Sequence, residues 1–98
     1  DIRRSSPTFG QWLGVELSAS NHRMLWIPAG FAHGFYVLSE SADFQYKCTD
    51  FYNPAAEKSI LWNDSDLNIH WPLVNGQAPQ LSAKDEQGTV FAQAEVFA

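Results

Sequence analysis

A histidine and a tyrosine, two residue types that can transfer protons, lie thirteen positions apart in an aromatic-rich part of this chain. His33 follows the turn-forming residues 28–30, and Tyr46 belongs to the next apolar run. The alternation of apolar and polar residues predicts strands over 34–38 and 44–49, joined as a hairpin. A hairpin would bring His33 and Tyr46 near each other, where they could bind a polar ligand and act as acid or base.

The predicted register of this hairpin is specific. With the turn centred near residues 40–41, Phe35 lies opposite Tyr46, and His33 lies opposite Cys48. His33 and Tyr46 are then diagonal neighbours, with Cα atoms about 7–8 Å apart. The alternative is structural: a hydrogen-bonded core histidine, and a tyrosine whose hydroxyl reaches a polar partner. The pattern alone leaves both open.

Three further groups could contact a ligand. Tyr52 could stack on a planar ring or simply cover the edge of the core, and Glu57 lies just beyond it. Lys84 and Asp85 stand at a predicted helix start, where a charged pair ordinarily caps and solvates the helix. An aspartate held beside a histidine can instead fix the tautomer of that histidine.

Composition excludes several classes of site and partner. Six Lys and Arg against eleven Asp and Glu give a net charge of −5, which argues against a nucleic-acid surface. The histidines are scattered, so we expect no metal site. The single Cys48 allows no internal disulfide and suits a reducing cytoplasm. No apolar run approaches the roughly 20 residues that span a bilayer, so no membrane partner is expected.

The chain has the pattern of one all-β domain covering residues 1–98. Short β-branched and aromatic runs alternate with turn residues, as in sandwiches and barrels. The predicted strands are 12–17, 24–27, 34–38, 44–49 and 60–62, with a turn over 18–21 and a loop over 73–81. Ser82 is a helix N-cap with Asp85 at the third position, and 83–98 is a candidate helix weakened by Gly88. Because the chain opens on Asp1 in a loop-like sequence, we interpret it as a piece of a longer protein.

Several motifs together resemble one known family, over nearly the whole length and in the right order. The run 28–35 resembles the second conserved element of the cupin fold. Residues 1–10, the pair Tyr46-Lys47, and the runs 60–64 and 81–85 are similar to dTDP-4-dehydrorhamnose 3,5-epimerases. The resemblance implies a cupin-like jelly-roll barrel that is incomplete at the N-terminus, with a short C-terminal helical segment.

The resemblance also implies a reaction. The family inverts C3 and C5 of dTDP-4-dehydro-6-deoxy-D-glucose on the route to dTDP-L-rhamnose. The C4 ketone acidifies both carbons, so no cofactor or metal is needed. By motif, Tyr46 is similar to the acid that reprotonates the ring, and Asp85 to the carboxylate that orients the catalytic histidine. His33, Glu57 and Lys84 match substrate contacts, and Tyr52 matches the aromatic residue that stacks on thymine.

The sequence departs from the family in one respect. The histidine base and the enolate-stabilising lysine belong to elements that precede the region matched by Asp1, so we expect this chain alone to be inactive. The family implies a homodimer and a cytoplasmic enzyme. Two alternatives remain: a cupin-like module that binds nucleotide sugars without turnover, and a purely structural β domain that packs on another chain.

Overall fold

The computed structural model describes all 98 residues and contains four short helical elements. Helix α1 covers Ala83–Glu86, and 3₁₀ helices cover Pro54–Ala56, Val74–Gly76 and Phe91–Gln93. Two isolated parallel bridges, Arg3 with Phe97 and Ile60 with Thr89, are its only β pairings. No helix has the length and apolar character needed to cross a bilayer.

The predicted hairpin does not form, and of the five predicted strands only 60–62 makes a β pairing, through the bridge of Ile60 with Thr89. Of 23 backbone–backbone hydrogen bonds, none joins residues 34–38 to 44–49, and only the bond from His22 N–H to the Ser18 carbonyl lies wholly within 12–53. A strand is completed by hydrogen bonds to neighbours, and alternation in one segment does not say where those neighbours are. The predicted turn over 18–21 does form around that bond, at 3.1 Å.

The chain is expanded for its length. Its radius of gyration is 14.3 Å, against about 13 Å for a compact domain of 100 residues. Its accessible surface of 8601 Å² is about 3,000 Å² more than a compact protein of this mass exposes. No hydrophobic residue is buried, and Trp26 is 77% exposed. The segments over 12–53 therefore present apolar side chains that these 98 residues do not cover.

A small ordered nucleus joins the first residues to the last. The Asp1 carboxylate accepts two hydrogen bonds from the Arg3 guanidinium, both at 2.9 Å, and further bonds from the hydroxyls of Ser6 and Thr8. Arg4 N–H donates to the Phe97 carbonyl at 2.8 Å. These bonds fix the loop over residues 1–11 beside the C-terminal segment.

A second contact, which we call the junction, joins residues 59–64 to residues 88–91. Thr89 N–H donates to the Ser59 carbonyl at 2.9 Å, and Leu61 N–H donates to the Thr89 carbonyl at 2.8 Å. Gly88 lies against the backbone of Leu61, where a Cβ at position 88 would be only 2.8 Å from the Leu61 Cα. Glycine is required there because any side chain would collide with backbone.

The C-terminal segment is less helical than predicted. Ser82 does cap α1, because its hydroxyl accepts a hydrogen bond from Asp85 N–H at 3.2 Å. The helix then ends at Glu86, and a second short turn, Phe91–Gln93, follows. The prediction of one helix over 83–98 is corrected, because Gly88 packs on the Leu61 backbone and Thr89 forms a bridge with Ile60 in the junction.

Candidate functional site

Two of the predicted ligand contacts form an ion pair across 27 residues. The Lys84 ammonium donates a hydrogen bond to the Glu57 carboxylate. Glu57 follows the 3₁₀ helix Pro54–Ala56, and its backbone N–H donates to the Pro54 carbonyl. Lys84 is the second residue of α1, directly after the Ser82 cap. Neither local pattern reveals the other partner, so no local signal in the sequence predicts this ion pair.

The electrostatics of the pair involve both candidate tyrosines. The hydrogen bond from Lys84 is the main reason that the pKa of Glu57 lies below its ordinary value, and the Tyr52 phenol lowers it further. The hydrogen bond with Glu57 and the charge of that carboxylate raise the pKa of Lys84. Tyr52 and Tyr46 raise it by smaller amounts. Both phenols therefore lie within electrostatic reach of the lysine.

An open polar cleft of about 400 Å³ surrounds the pair. The residues that line it are Pro54, Glu57, Lys58, Ser59, Lys84, Gln87 and Thr89. None of these side chains is a large apolar group, and they offer ammonium, carboxylate, amide and hydroxyl groups. Such a surface suits a ligand with many hydrogen-bonding groups, such as a sugar or a phosphate ester.

Tyr46 lies at the end of a row of aromatic rings. Phe35 stacks on Phe44 with centroids 4.0 Å apart, and Phe44 contacts Tyr46 with centroids 5.5 Å apart. No backbone hydrogen bond joins 34–38 to 44–49, so the predicted register, with Phe35 opposite Tyr46, has no ladder that would define it. Tyr46 is 66% exposed and does not line the cleft.

The other predicted residues are exposed. His33 makes no hydrogen bond, so a satisfied core histidine does not describe it. Tyr52 is 75% exposed. The Asp85 carboxylate has no hydrogen-bond or ion-pair partner, although its backbone N–H closes the cap of α1. No group of three His, Cys, Asp or Glu side chains is placed to hold a metal ion.

Sequence reasoning missed Asp64, which is the only buried residue of the chain, with 5% of its surface exposed. Its Oδ2 accepts hydrogen bonds from Asp66 N–H at 2.9 Å and Leu67 N–H at 3.0 Å, and its Oδ1 accepts one from Phe91 N–H at 2.8 Å. The bond from Phe91 is the main reason that the pKa of this carboxyl is lowered. Asp64 two residues before Asp66 signals an Asx turn, but the contact with Phe91 has no local signal.

Comparison with known proteins identifies the family. The family model for dTDP-4-dehydrorhamnose 3,5-epimerase matches residues 1–93. The chain belongs to this family. It is 62% identical to the dTDP-4-dehydrorhamnose 3,5-epimerase of Pseudomonas aeruginosa over 97 residues, covering 99% of this chain and 52% of that protein. With the Salmonella typhimurium enzyme the identity is 60% over 94 residues, covering 96% and 50%.

A solved structure has the same backbone course. The dTDP-6-deoxy-D-glucose-3,5-epimerase RmlC of Legionella pneumophila, crystallised in complex with dTDP-4-keto-L-rhamnose, superposes with a TM-score of 0.90 at 57% identity. The match covers 97% of this chain and 50% of that one. The chain thus spans about half the length of the curated relatives it matches.

Proposed function

We propose that this epimerase-family chain supplies part of the active site that converts dTDP-4-dehydro-6-deoxy-D-glucose by inversion at C3 and C5. The single observation that supports this most directly is the Glu57–Lys84 pair in its polar cleft, with Tyr46 and Tyr52 within electrostatic reach of the lysine. Four residues that the family resemblance assigned to one site are therefore electrostatically linked in the folded chain. The family match over residues 1–93 supports the same assignment.

The chemistry follows from the ketone of the substrate. A base removes the proton on a carbon next to C4, and the C4 oxygen takes the electron pair as an enolate. An acid on the opposite face then returns a proton to the carbon, which inverts the centre. No cofactor is needed in this scheme, because the carbonyl itself is the electron sink.

We assign Tyr46 as the acid, because its phenol carries a transferable proton and lies within electrostatic reach of the Lys84 ammonium. Tyr52 would stack on the thymine, while Glu57, Lys84 and His33 would contact the nucleotide sugar. Asp85 would orient the histidine base, and its unpaired carboxylate is free to do so. In this proposal the base is not among these 98 residues, so the chain alone does not turn over substrate.

The fold and assembly are part of the same proposal. We infer a cupin-like jelly-roll barrel and a cytoplasmic homodimer with dTDP-sugar as its small-molecule partner. The superposition on the Legionella structure supports the barrel. The excess accessible surface and the exposed apolar side chains over 12–53 support a subunit contact that covers them.

The test is proton exchange in D₂O by the native gene product supplied with the 4-keto sugar. We expect deuterium at both C3 and C5, and its loss, by at least about a hundredfold in rate, in Tyr46→Phe with dTDP affinity retained. The 98-residue chain alone should give no exchange. Exchange by this chain at the rate of the native gene product would contradict the assignment of the base.

One observation favours a second candidate, a nucleotide-sugar-binding module without turnover. The Tyr46 phenol is largely exposed and lies outside the cleft, where it cannot protonate a ligand held by the Glu57–Lys84 pair unless the ligand extends toward it. This candidate predicts dTDP binding by the native gene product with no deuterium incorporation at either carbon.

A further inference from the structure

Asp64 is the only residue of the chain that is buried as a whole, although the Asp1 side chain is also buried, and its carboxylate accepts three backbone hydrogen bonds. A buried carboxylate is unfavourable unless donors replace its lost hydration. Three backbone N–H groups do so here, at 2.8 to 3.0 Å. Bonds from N–H groups to an ionised acceptor are stronger than neutral ones, so this carboxylate fixes the backbone segments that supply them.

Those donors come from two distant segments. Asp66 and Leu67 belong to the turn that Asp64 itself begins, whereas Phe91 lies 27 residues away, at the start of the 3₁₀ helix Phe91–Gln93. The Phe91 bond therefore closes one end of the junction, and the Thr89 bonds to Ser59 and Leu61 close the other. Asp64 is the only side chain that hydrogen-bonds across the junction.

The junction stands directly beside both members of the ion pair. Glu57 lies two residues before Ser59, and Lys84 lies four residues before Gly88. Ser59 and Thr89, which are bonded to each other in the junction, also line the cleft. Any slip of one segment along the other would move Glu57 relative to Lys84, together with Asp85 on the same turn of α1.

We propose that Asp64 is a positioning residue, which sets the relative placement of Glu57 and the α1 residues Lys84 and Asp85 by clamping residues 88–91 to residues 59–64. This inference rests on the proposed function, because it assumes that the pair contacts the nucleotide sugar. Asp64 itself does not touch the ligand. It acts through the junction, so its loss weakens binding less once Lys84 has been removed.

The experiment measures dTDP affinity by calorimetry for variants of the native gene product. Asp64→Asn keeps the shape but turns one oxygen into a donor that faces backbone N–H groups. Asp66→Asn is the matched control: it makes the same chemical change two residues away, on an exposed side chain with no hydrogen bond. We expect Asp64→Asn to weaken dTDP binding about tenfold and Asp66→Asn to leave it unchanged.

A double-mutant cycle distinguishes positioning from general destabilisation. Lys84→Ala should weaken dTDP binding, and Asp64→Asn should weaken binding by less in the Lys84→Ala background than in the wild-type protein. Additive losses would overturn the proposal, as would unchanged affinity in Asp64→Asn. If the wild-type protein does not bind dTDP at all, the proposed function fails rather than the positioning role.

A second pair of variants covers the case in which Asp64→Asn does not fold. Phe91→Pro removes the N–H that reaches Asp64, at the first position of a 3₁₀ helix where the proline ring is accepted. Phe91→Leu keeps that N–H and an apolar side chain. Weaker dTDP binding in the proline variant than in the leucine variant supports the clamp, and equal binding in the two overturns it.

Discussion

At the scale of single residues, the Glu57–Lys84 pair is the charge arrangement with the clearest chemical consequence. Each partner shifts the pKa of the other in the direction that keeps both charged. Because the pKa of Glu57 is lowered in the folded state, its contribution to the free energy of unfolding is fully present above the ordinary carboxyl range. That contribution is lost as pH falls through the pKa of the folded state. Because the pKa of Lys84 is raised in the folded state, its contribution to the free energy of unfolding is lost only as pH rises through a pKa above the ordinary lysine value. The pair is therefore intact at neutral pH, although its exposure keeps its effect on stability small.

This pairing predicts a pKa change that can be measured directly. Replacing Lys84 by Met removes the hydrogen bond and the charge, so the pKa of Glu57 should rise toward the ordinary carboxyl value. The measurement is the pH titration of the Glu57 side-chain carbonyl by ¹³C NMR. Lys58→Met is the control, because Lys58 lines the same cleft but pairs with Glu95 at 3.7 Å. Equal Glu57 titration in wild-type protein and Lys84→Met would contradict the pair.

Residues also show what sequence reasoning can reach. The cap at Ser82 and the turn over 18–21 were predicted correctly, because each depends on side chains that bond within a few positions. The choice of Glu57 and Lys84 as a joint site came from the family resemblance, since no local pattern links positions 27 apart. Asp64 was not predicted as a functional residue, because the Phe91 N–H that bonds to it also lies 27 positions away in the sequence.

At the scale of elements, the junction explains how residues 59–64 and 88–91 are held together although neither belongs to a β-ladder. Two backbone hydrogen bonds, one side-chain clamp and the close approach of Gly88 to Leu61 hold it. The strands predicted over 12–53 have nothing equivalent. Their alternation could not supply this, because pairing partners are a property of the whole assembly and cannot be deduced from a single segment.

The close approach at Gly88 predicts a stability loss of defined size. Gly88→Ala would place a methyl group 2.8 Å from the Leu61 backbone, so the junction must open, at a cost of about 1–3 kcal/mol. Urea unfolding of the native gene product measures this free energy. Gly14→Ala is the control, since its Cβ would meet only the Trp12 ring, at an ordinary 3.8 Å. Equal stability of the two variants would show that the junction is not closely packed.

At the scale of the whole molecule, the main feature is the large solvent-accessible surface of the chain. About 3,000 Å² more surface is accessible than on a compact protein of this mass, an amount comparable with an extensive permanent interface. Met24 at 95% exposure and Phe51 at 96% show that this surface includes large apolar side chains. The chain therefore has enough hydrophobic residues for a core but buries none of them. Its hydrophobic content of 45% alone did not predict this exposure.

The exposed surface predicts association of the 98-residue chain. At micromolar concentration, light scattering should give a mass above the 11.0 kDa of one chain, and the protein should bind a hydrophobic dye. Replacing Met24 and Trp26 together by Gln should reduce dye binding. The control replaces Glu16 and Ser20 by Gln, which removes no apolar surface. A sharp monomer peak with no dye signal would contradict this prediction.

The bridge between Arg3 and Phe97 has a consequence for biosynthesis. Ribosomes add roughly 5–20 residues per second, so Phe97 leaves the exit tunnel on the order of ten seconds after Arg3. Throughout that interval the loop over residues 1–11 cannot pair with the C-terminal segment, although the aromatic residues that follow the loop have already left the tunnel. Newly made chains should therefore need chaperone protection most in the period before Phe97 leaves the tunnel.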